Sequence, residues 1–420
     1  MRILMLSDFY WPFVGGVEEH VRRLSQGLAG RGHAVSVVTL GNDDLPPAGT
    51  DHGVRIYRVR AAVQRAGWLF SNRHRPWAPP LPDPAVLYSL QGILRAERPD
   101  VVHGHDWLAR AYLPLKPLVR APFVMSLHYY TLSCAKKSLL RGAKPCSGPA
   151  FRKCLRCAAS HYGGAKGIGV TLANWAMSAL EKAEVDVFLP VSVETAQGNG
   201  LSDSDRYEVV PNFMPERTRS GVNLGPFLAQ LPAEPFLLYV GDLRRAKGID
   251  VLLTAYAGLT HAPPLVLIGK VWPESPQTYP PNVVVLRDWP NEAVLAAWDR
   301  SLMGIVPSIW PEPFGIVVIE AMNSGRPVIA SRIGGLPDLL GQGAAGVLVP
   351  PGDAGALREA LAGLLRDDDR RTKLGQEARR RASLYRASVV IPRIEQIYAG
   401  LGRRPREKHE QAAVGEHHYQ

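Results

Sequence analysis

Residues 307–331 read PSIWPEPFGIVVIEAMNSGRPVIAS, a loop followed by an apolar helical pattern. The preceding segment LMGIVP (302–307) is short and apolar, which predicts a buried strand. The helical pattern begins after Gly315, and Gly325 closes it before PVIA (327–330), the next predicted strand. A buried strand, a loop and a helix in this order predict one βα unit of a parallel sheet.

Two glutamates flank the beginning of this predicted helix. Free backbone N–H groups at Phe314 and Gly315 would face an anion there, and glycine lets a phosphate approach closely. Glu320 lies about one and a half turns into the helix, at a depth that suits hydrogen bonds from a ribose. Glu312 precedes the helix and could accept hydrogen bonds from another polyol. The pattern predicts a clamp for a nucleotide sugar; two surface glutamates on an ordinary βα unit are the alternative.

Segments of the same kind recur along the whole chain. Short β-branched runs alternate with helical or glycine-punctuated stretches in both halves, as expected of βαβ units. The predicted strands are 2–6, 34–40, 54–59, 100–103, 123–127, 187–192, 207–211, 236–241, 265–269, 282–286, 302–307, 327–330 and 346–350. Two similar parallel sheets explain this spacing better than one sheet, so we predict an α/β fold.

The chain is expected to form two domains. The stretch 211–235 is rich in Pro, Gly and polar residues and is interpreted as the interdomain linker. It separates a predicted first domain, residues 1–213, from a second, residues 214–385. Helical patterns follow residue 350, and the last residues, 403–420, lack apolar periodicity and are predicted to be a disordered tail.

Composition excludes several classes of protein. With 420 residues, 46% of them hydrophobic and 21% charged, the chain is long and apolar enough for two globular domains and is not disordered. The longest apolar runs stay below about 18 residues, and Asp8 interrupts the first apolar stretch. We therefore expect a cytoplasmic protein without a signal peptide.

The positive charge is concentrated in one block of the first half. The formal net charge is +11, and residues 107–180 contain no Asp or Glu. The cations of this basic block are Arg110, Lys116, Arg120, Lys136, Lys137, Arg141, Lys144, Arg152, Lys153, Arg156 and Lys166. Such a block predicts an anionic membrane, a nucleic acid or a phosphorylated substrate as partner, and a merely solvated surface is the alternative.

Four cysteines lie close together in the same block. Cys134, Cys146, Cys154 and Cys157 have the spacing C-x11-C-x7-C-x2-C, with lysines and arginines around them. This pattern is compatible with a structural zinc ion or an iron–sulfur cluster. Free thiols and disulfides are the alternatives, and a cytosolic setting disfavours disulfides.

The stretch EPFGIVVIE (312–320) carries the spacing E-x7-E, and with it the chain resembles the retaining glycosyltransferases of family 4. Further segments agree with the family in their order along the chain: DFYWPFVGGVEEH (8–20), DVVHGHDW (100–107), VMSLHYYTLSC (124–134), LPVSVETA (189–196), VVPNFMP (209–215), YVGDLRRAKGIDVLL (239–253) and IGGLPDLL (333–340). The resemblance implies the GT-B fold, in which two Rossmann-like domains face a cleft. It also implies that a C-terminal helix at 386–402 returns to the first domain.

In the first domain the resemblance implies roles for three residues and one segment. Gly15 and Gly16 would form the turn after the first strand, where the backbone approaches the donor diphosphate or the acceptor. His128 matches a histidine that contacts hydroxyls of the donor sugar beside the reacting carbon, which makes it a catalytic candidate. The segment HGHD (103–106) ends another strand on the same side of the sheet, where ligands bind in open α/β sheets.

In the second domain the resemblance gives Lys247 and Glu312 catalytic roles. Lys247 matches the lysine that neutralises the leaving diphosphate. The family often has an arginine where this chain has Asp242, so Arg244 or Arg245 is expected to supply the guanidinium. The remaining donor-binding residues would be Phe314, Gly315, Ile316 and Glu320.

These observations predict a hexosyltransferase or related glycosyltransferase that moves a sugar from a nucleoside diphosphate sugar to an acceptor hydroxyl with retention, without a catalytic metal. The acceptor would be a glycan or a lipid-linked glycan precursor, and the enzyme would be cytoplasmic or peripheral on the inner face of the plasma membrane. The alternatives are another GT-B reaction, such as that of a nucleotide-sugar epimerase or phosphorylase, and a non-catalytic protein that binds nucleotide sugars or nucleic acid. The paired glutamates favour the enzyme, so nucleic acid is not expected as a partner.

Overall fold

The computed structural model describes residues 1–13, 15–42, 44–67, 77–142, 144–214 and 222–402. The predicted tail at 403–420 lies outside the described residues, and so do residues 215–221 of the predicted linker. Within the described part, the chain forms two parallel sheets with helices on their faces, which confirms the predicted α/β class with two Rossmann-like domains.

The first sheet is built from strands of the first half of the chain. The strands of this half are β1 (Arg2–Ser7), β2 (Ala34–Leu40), β3 (Ala48–Asp51), β4 (Val54–Val59), β5 (Val101–Gly104), β6 (Phe123–Leu127), β7 (Leu140–Arg141), β8 (Lys144–Pro145) and β9 (Val187–Pro190). The sheet has the order β3-β4-β2-β1-β5-β6-β9, and its pairs are parallel apart from the antiparallel β3–β4 pair. β7 and β8 form a separate hairpin between β6 and β9.

The second sheet is built from strands of the second half. They are β10 (Leu237–Val240), β11 (Leu265–Ile268), β12 (Val283–Leu286), β13 (Met303–Val306), β14 (Val328–Ser331) and β15 (Gly346–Val349). The order is β12-β11-β10-β13-β14-β15, and each pair is parallel. The motif at 307–331 thus begins directly after the central strand β13 and ends with β14.

Helices connect these strands and cover both faces of the sheets. The α-helices are α1 (Gly16–Gly30), α2 (Pro84–Glu97), α3 (Lys116–Val119), α4 (Phe151–Tyr162), α5 (Gly164–Glu184), α6 (Val193–Gly198), α7 (Gly225–Leu228), α8 (Ile249–Ala257), α9 (Asn291–Arg300), α10 (Ile316–Asn323), α11 (Leu336–Leu339), α12 (Ala354–Arg366), α13 (Asp368–Ala382) and α14 (Ala387–Gly402). Short 3-10 helices lie at Ala62–Arg65, Trp107–Leu115, Arg245–Lys247, Gly341–Gly343 and Ser383–Tyr385. Over the described ranges, none of the helices combines the length and the apolar character that a bilayer crossing requires.

The strands are apolar along their length because both of their faces are buried. In β1, Leu4 and Leu6 pack in one hydrophobic cluster, whereas Ile3 and Met5 pack in another on the opposite face of the sheet. Successive side chains of a strand point to opposite faces, so a strand between two helical layers needs apolar residues at every position. This is why short apolar runs could locate the strands from the sequence.

One predicted strand is absent, and two short pairings were not predicted. The segment 207–211 forms an isolated bridge to Phe188, because Pro190 in the neighbouring strand β9 has no N–H with which to extend the ladder. Strand β3 reads AGTD and has no β-branched run; it pairs with β4 through a turn in which both His52 and Gly53 have positive φ, 47° and 84°. The β7–β8 hairpin has two residues in each strand, too few for a periodic pattern.

The chain crosses between the two sheets twice, at adjacent points. Met214 donates its N–H to Tyr385 O at 2.9 Å and accepts from Ala387 N at 3.0 Å. After the second crossing, α14 packs on α1, where Glu395 bonds Arg31 Nε at 2.7 Å. Helix α14 therefore covers the first sheet although it follows the second in sequence.

Candidate active site

Two helix N-termini meet between the sheets. Helix α1 follows β1 and begins after Gly15, whereas α10 follows β13 and begins after Gly315. A Cβ atom on Gly16 would lie 3.6 Å from Ile316 Cδ1, so the two helix ends are in van der Waals reach. The structure therefore brings together both glycine turns that the sequence singled out. Backbone N–H groups at both ends would attract an anion bound between them.

The predicted catalytic pair, Lys247 and Glu312, lies beside these helix ends. Lys247 Nζ is 2.5 Å from Glu312 Oε1, and Ser308 Oγ donates to the same oxygen at 2.9 Å. The lysine ammonium also lies 5.0 Å from the centre of the Trp310 ring. Glu312 is buried while the Lys247 side chain is 31% exposed, so the ammonium can reach a ligand in the cleft.

A glycine allows the loop that carries Lys247 to touch the loop that carries Glu312. Gly248 has φ 77°, and a Cβ atom there would lie 1.8 Å from Pro307 O. The backbone carbonyl of Ala246 accepts from Ile309 N at 2.9 Å and from Trp310 N at 3.1 Å. Only glycine, which has no Cβ atom, can approach Pro307 O this closely. This explains why a glycine follows Lys247.

The loop around Glu312 is anchored to both domains. Within its own domain, Gly335 N donates to Glu312 O at 2.8 Å. From the first domain, Ser192 Oγ and Thr195 Oγ1 donate to Pro313 O at 2.6 and 3.0 Å. The Tyr130 hydroxyl donates to the carbonyl of the preceding proline, Pro311, at 3.0 Å. The side chains of the first domain thus hold the loop that positions the carboxylate.

The neighbouring Phe314 has a packing role. Its side chain is buried, and its ring meets the edge of Tyr385 at a centroid distance of 5.8 Å. Tyr385 also accepts the backbone hydrogen bond from Met214 at the crossing between the domains. The Phe314 ring therefore supports the domain crossing.

Glu320 is buried in α10 and is held by a residue of a neighbouring helix. Asn291, the first residue of α9, donates its amide to Glu320 Oε1 at 2.9 Å. Burial raises the pKa of Glu320, and the hydrogen bond from Asn291 partly opposes this rise. The positive charge of Arg23, on α1 of the first domain, acts in the same direction as Asn291. The sequence identified Glu320 but missed Asn291, because the two helices become neighbours only through the order of the strands.

His128 lies in a cluster of buried histidines at the end of the first sheet. Its ring stacks on that of His105, and the Nε2 and Nδ1 atoms of the two rings are 3.1 Å apart. His103 bonds Ser126 Oγ at 2.8 Å and the Tyr398 hydroxyl of the returning helix at 2.5 Å. Sequence reasoning placed His128, His105 and His103 on this side of the sheet but missed the fourth ring of the cluster.

The fourth ring is that of His20, whose centre lies 4.8 Å from that of His128. Burial lowers the pKa of all four histidines; neighbouring rings add to this for His20, His103 and His105, whereas Asp106 and Asn212 partly oppose it for His128. The pKa falls to about 4 for His128 and to about 3 for His103. The cluster is therefore uncharged near neutral pH and can serve as a set of hydrogen-bonding groups.

The two candidate arginines pair with carboxylates other than Glu312. Arg244 pairs with Glu274 at 2.7 Å and stacks over the Trp272 ring at 4.5 Å. Arg245 is 73% exposed and lies 3.4 Å from Asp250. The sequence missed another cation here: Lys270, two residues after β11, lies 4.3 Å from the centre of the Trp272 ring. Two cations thus flank one tryptophan at the carboxyl end of the second sheet.

Asp106 takes part in a buried ion cluster that the sequence did not reveal. The Lys137 ammonium contacts Asp106 and lies 3.8 Å from Asp8, which follows β1. It also lies 4.2 Å from the centre of the Trp107 ring and 4.5 Å from that of Trp77. Burial raises the pKa of Asp8 to about 7, Asp106 adds to the rise, and Lys137 opposes it. Lys137 thereby ties the insertion after β6 to the ends of two strands.

The four cysteines are not gathered into a metal site. Cys154 and Cys157 lie on α4, whereas Cys134 and Cys146 lie in the preceding loops, and all four are free thiols. Across the described ranges, no group of three or more His, Cys, Asp or Glu side chains is placed to hold a metal ion. A tetrahedral zinc or iron–sulfur site needs three or four such ligands around one point. A metal at these cysteines stays a prediction of the sequence.

Known protein families match both halves of the chain. The family description "Glycosyl transferase 4-like domain" matches residues 15–171, and "Glycosyl transferases group 1" matches residues 228–381. Glycogen synthase from Mycobacterium tuberculosis (strain ATCC 25618 / H37Rv) is 29% identical, with 99% of each chain covered.

Solved structures share the fold over nearly the whole chain. Sucrose-phosphate synthase from Thermosynechococcus elongatus superposes with a TM-score of 0.71 at 21% identity, over 96% of this chain and 99% of that chain. HepE from Anabaena, in complex with UDP, superposes with a TM-score of 0.67 at 17% identity, over 95% of this chain and 100% of that chain. Family models match both halves of the chain, and the solved structures match both sheets. The chain therefore belongs to glycosyltransferase family 4 and has the GT-B fold.

Proposed function

We propose that the chain is a retaining glycosyltransferase that moves a sugar from a nucleoside diphosphate to an acceptor hydroxyl in the cleft between its sheets. The observation that carries the proposal is the pair of Lys247 and Glu312, 2.5 Å apart, beside the converging N-termini of α1 and α10. A diphosphate leaving group gains negative charge as the glycosidic bond breaks. The ammonium and the two helix ends supply positive charge that is fixed in place before the reaction.

In the proposed step, the acceptor oxygen forms a bond to the anomeric carbon on the face from which the phosphate leaves. The bond between that carbon and the diphosphate oxygen breaks, and its electrons stay with the diphosphate. The proton of the acceptor hydroxyl passes to the departing phosphate oxygen. Because bond making and bond breaking occur on one face, the anomeric configuration is retained.

Glu320 and Asn291 are the proposed partners of the nucleoside ribose. A carboxylate accepts hydrogen bonds from two neighbouring hydroxyls, and the Asn291 amide, 2.9 Å from the carboxylate, fixes its orientation. His128 is proposed to contact the hydroxyls of the transferred sugar. Its lowered pKa supports this role, because a neutral ring can both donate and accept hydrogen bonds and does not compete with Lys247 for the diphosphate.

A second cation is proposed to share the diphosphate with Lys247. Arg244 is favoured over Arg245, because the Arg245 side chain is 73% exposed and pairs with Asp250 beside its own helix. Lys270 shares the Trp272 ring with Arg244 and is the further candidate. Either side chain would supply the positive charge that the arginine in the Asp242 position supplies in similar proteins.

The proposed acceptor is a glycan or a lipid-linked glycan precursor, bound by the first domain on the cytoplasmic side of a membrane. The basic block at 107–180, which has no acidic residue, supports an acceptor that carries phosphate or lies at an anionic surface. Two relatives support the substrate classes: one is named as a glycogen synthase, and one structural neighbour was solved with UDP.

Thermal stability against nucleotide sugars tests the donor site. The wild type, Glu320→Ala and Glu359→Ala, an exposed control on α12, are melted with UDP-, GDP-, ADP- and TDP-sugars. A donor at about 100 times its dissociation constant adds about 2.7 kcal/mol, which raises the melting temperature by several degrees. We expect one nucleotide class to stabilise the wild type and the control, and Glu320→Ala to lose most of that shift.

Transfer itself is measured with the donor so identified and an acceptor glycan, and NMR of the product gives the anomeric configuration. An inverted product would overturn the retaining mechanism. Turnover of the donor to an epimer or a sugar phosphate would replace transfer by another GT-B reaction. If no nucleotide sugar stabilised the protein while nucleic acid bound in a salt-dependent manner, a binding protein would replace the enzyme.

A further inference from the structure

Helix α5 buries a polar face. Its buried side chains include Asn174, Ser178 and Glu181, which all bond the guanidinium of Arg110. Arg110 is fully buried, and its bond to Glu181 Oε2 measures 2.8 Å. The side of the helix that faces the protein therefore carries a charged hydrogen-bonding network beside the buried side chain of Met177.

The opposite face of α5 is apolar and exposed. The exposed residues of this stripe are Ala165, Ile168, Gly169, Leu172, Ala176, Ala179, Leu180 and Ala183. They recur at the spacing of three and four residues that lines one face of a helix over about five turns. Ile168, Leu172 and Leu180 are 41%, 47% and 40% exposed. An ordinary surface helix has the reverse arrangement, so this stripe is expected to meet an apolar partner.

Cations lie on the helix that packs against α5. Helix α4 packs so closely on α5 that a Cβ atom on Gly167 would lie 2.2 Å from Ala158 O. Helix α4 contributes the exposed side chains of Arg152 and Arg156. At its beginning, Phe151 is 64% exposed and stacks on Trp175 of α5 with 5.6 Å between ring centres.

The topology places this surface on the side of the candidate active site. Two residues, 185 and 186, separate α5 from β9, so the helix runs antiparallel to that strand. The carboxyl ends of the parallel strands form the site, and α5 must therefore begin on the site's side of the sheet. Ile168 and Leu172 are the large apolar members of the stripe in the first half of the helix, toward the side of the site.

We propose that α4 and α5 form a docking surface for an anionic lipid bilayer. The apolar stripe would enter the boundary between headgroups and acyl chains, and Arg152 and Arg156 would meet lipid phosphates. Association of two copies through the same stripe would bring four of these arginines together, so the charge favours a lipid surface over a second copy. The inference builds on the proposed membrane-side acceptor and is independent of the donor chemistry.

Vesicle co-sedimentation of the full chain tests the proposal. The vesicles are phosphatidylcholine alone or phosphatidylcholine with phosphatidylglycerol, and the variants are Ile168→Glu with Leu172→Glu, and Arg152→Glu with Arg156→Glu. Tyr88→Glu is the matched control, because Tyr88 is an 82% exposed apolar side chain on α2 of the same half. Thermal melting confirms that each variant folds.

We expect the wild type and Tyr88→Glu to bind the anionic vesicles and to leave neutral vesicles unbound. The double glutamate variant of the stripe should bind about 100-fold more weakly, since burial of each aliphatic side chain is worth at least about tenfold. The arginine variant should lose binding to the anionic vesicles. Equal binding by the stripe variant and the wild type would overturn the proposal.

Two further measurements separate the possible failures. If the wild type were a dimer in sedimentation equilibrium and the stripe variant a monomer, the stripe would be an interface between copies and the lipid proposal would be wrong. The nucleotide-sugar melting shift of the stripe variant is measured without vesicles. If the stripe variant showed both a normal melting shift and normal vesicle binding, the docking surface alone would be overturned. If the wild type showed no melting shift, the donor site would be overturned and the docking result would stand.

Discussion

Glu312 lies 2.5 Å from the Lys247 ammonium, although 65 residues separate them in the chain, and Ser308 donates to the same carboxylate oxygen. The lysine therefore has its orientation before a ligand binds. A charge that is fixed in advance stabilises a transition state more than one that must rearrange during the reaction. Removal of the ammonium should affect the reaction more than the fold.

Lys247→Ala is expected to lower kcat by about 100- to 1,000-fold, the usual effect of removing one preorganised group that stabilises developing charge. Glu312 keeps its hydrogen bond from Ser308 but loses its cation while buried, so the variant should fold with a lowered melting temperature. Steady-state kinetics with the donor identified by melting measures the effect. Lys373→Ala, an exposed lysine on α13, is the control and should keep full activity. A Lys247→Ala enzyme with nearly wild-type kcat would show that the leaving group is stabilised by other residues.

Gly248→Ala is expected to destabilise the protein by at least about 3 kcal/mol, because two separate effects add. The residue has φ 77°, and its Cβ would lie 1.8 Å from Pro307 O. The backbone oxygen cannot rotate away, so the contact between the two loops must open. Urea unfolding measures the change in the free energy of unfolding, and activity should fall because Lys247 moves with its loop.

Gly352→Ala separates the cost of the positive φ from the cost of the close contact with Pro307. Gly352 has φ 80°, close to that of Gly248, but a Cβ there would meet nothing within 4 Å. Only the conformational cost of about 1 kcal/mol should appear in this variant. Equal destabilisation by both substitutions would mean that backbone strain, and not the contact with Pro307, makes glycine necessary at 248.

The strand-end positions of the site could be predicted because a βα unit has few ways to fold. Gly15 and Gly315 each follow an apolar strand and precede a helix, so each is expected at the carboxyl edge of its own sheet. Lys137 could not be predicted in this way. It has φ 61° and lies in the long insertion after β6, whose path leaves no periodic pattern in the sequence. Its contact with Asp106 depends on that path.

The same difference separates Glu320 from its partner Asn291. The spacing of eight residues from Glu312 identified Glu320 within one βα unit. Asn291 belongs to the preceding helix, α9, and its amide reaches the carboxylate only because α9 and α10 pack beside each other. Local sequence patterns identified site residues that lie near each other in the chain. Partners that come from other helices or strands could be identified only from the structure.

The buried histidines should make the protein less stable as the pH falls below about 6.5. An unfolded histidine titrates near pH 6.5, whereas burial lowers the pKa of His128 to about 4. Between these values the unfolded chain binds a proton that the folded chain does not, so the free energy of unfolding decreases as the pH falls. Each such histidine contributes up to about 1.4 kcal/mol per pH unit. His128→Gln should therefore flatten the pH dependence of urea unfolding.

His261→Gln is the control for this slope, because His261 is an exposed histidine of the second half. Its curve of unfolding free energy against pH should run parallel to that of the wild type. If other groups dominate acid unfolding, the curve of His128→Gln would also run parallel to that of the wild type. A parallel His128→Gln curve would show that the histidine cluster does not set the acid limit of stability.

Lys137→Met should destabilise the protein by about 3 to 5 kcal/mol at neutral pH, because Asp8 and Asp106 would be left buried without their cation. The pKa of Asp8 is already raised to about 7 by burial and by Asp106, and it should rise further without the lysine. A carboxyl group with a raised folded-state pKa favours the folded state at low pH, so the loss should shrink as the pH falls through this pKa.

Urea unfolding of Lys137→Met and of Lys137→Met with Asp8→Asn measures both effects. The added Asp8→Asn should recover part of the lost unfolding free energy above pH 7 and little of it below pH 7. A loss that stayed constant with pH would show that Lys137 acts through its contacts with Trp77 and Trp107 instead of its charge.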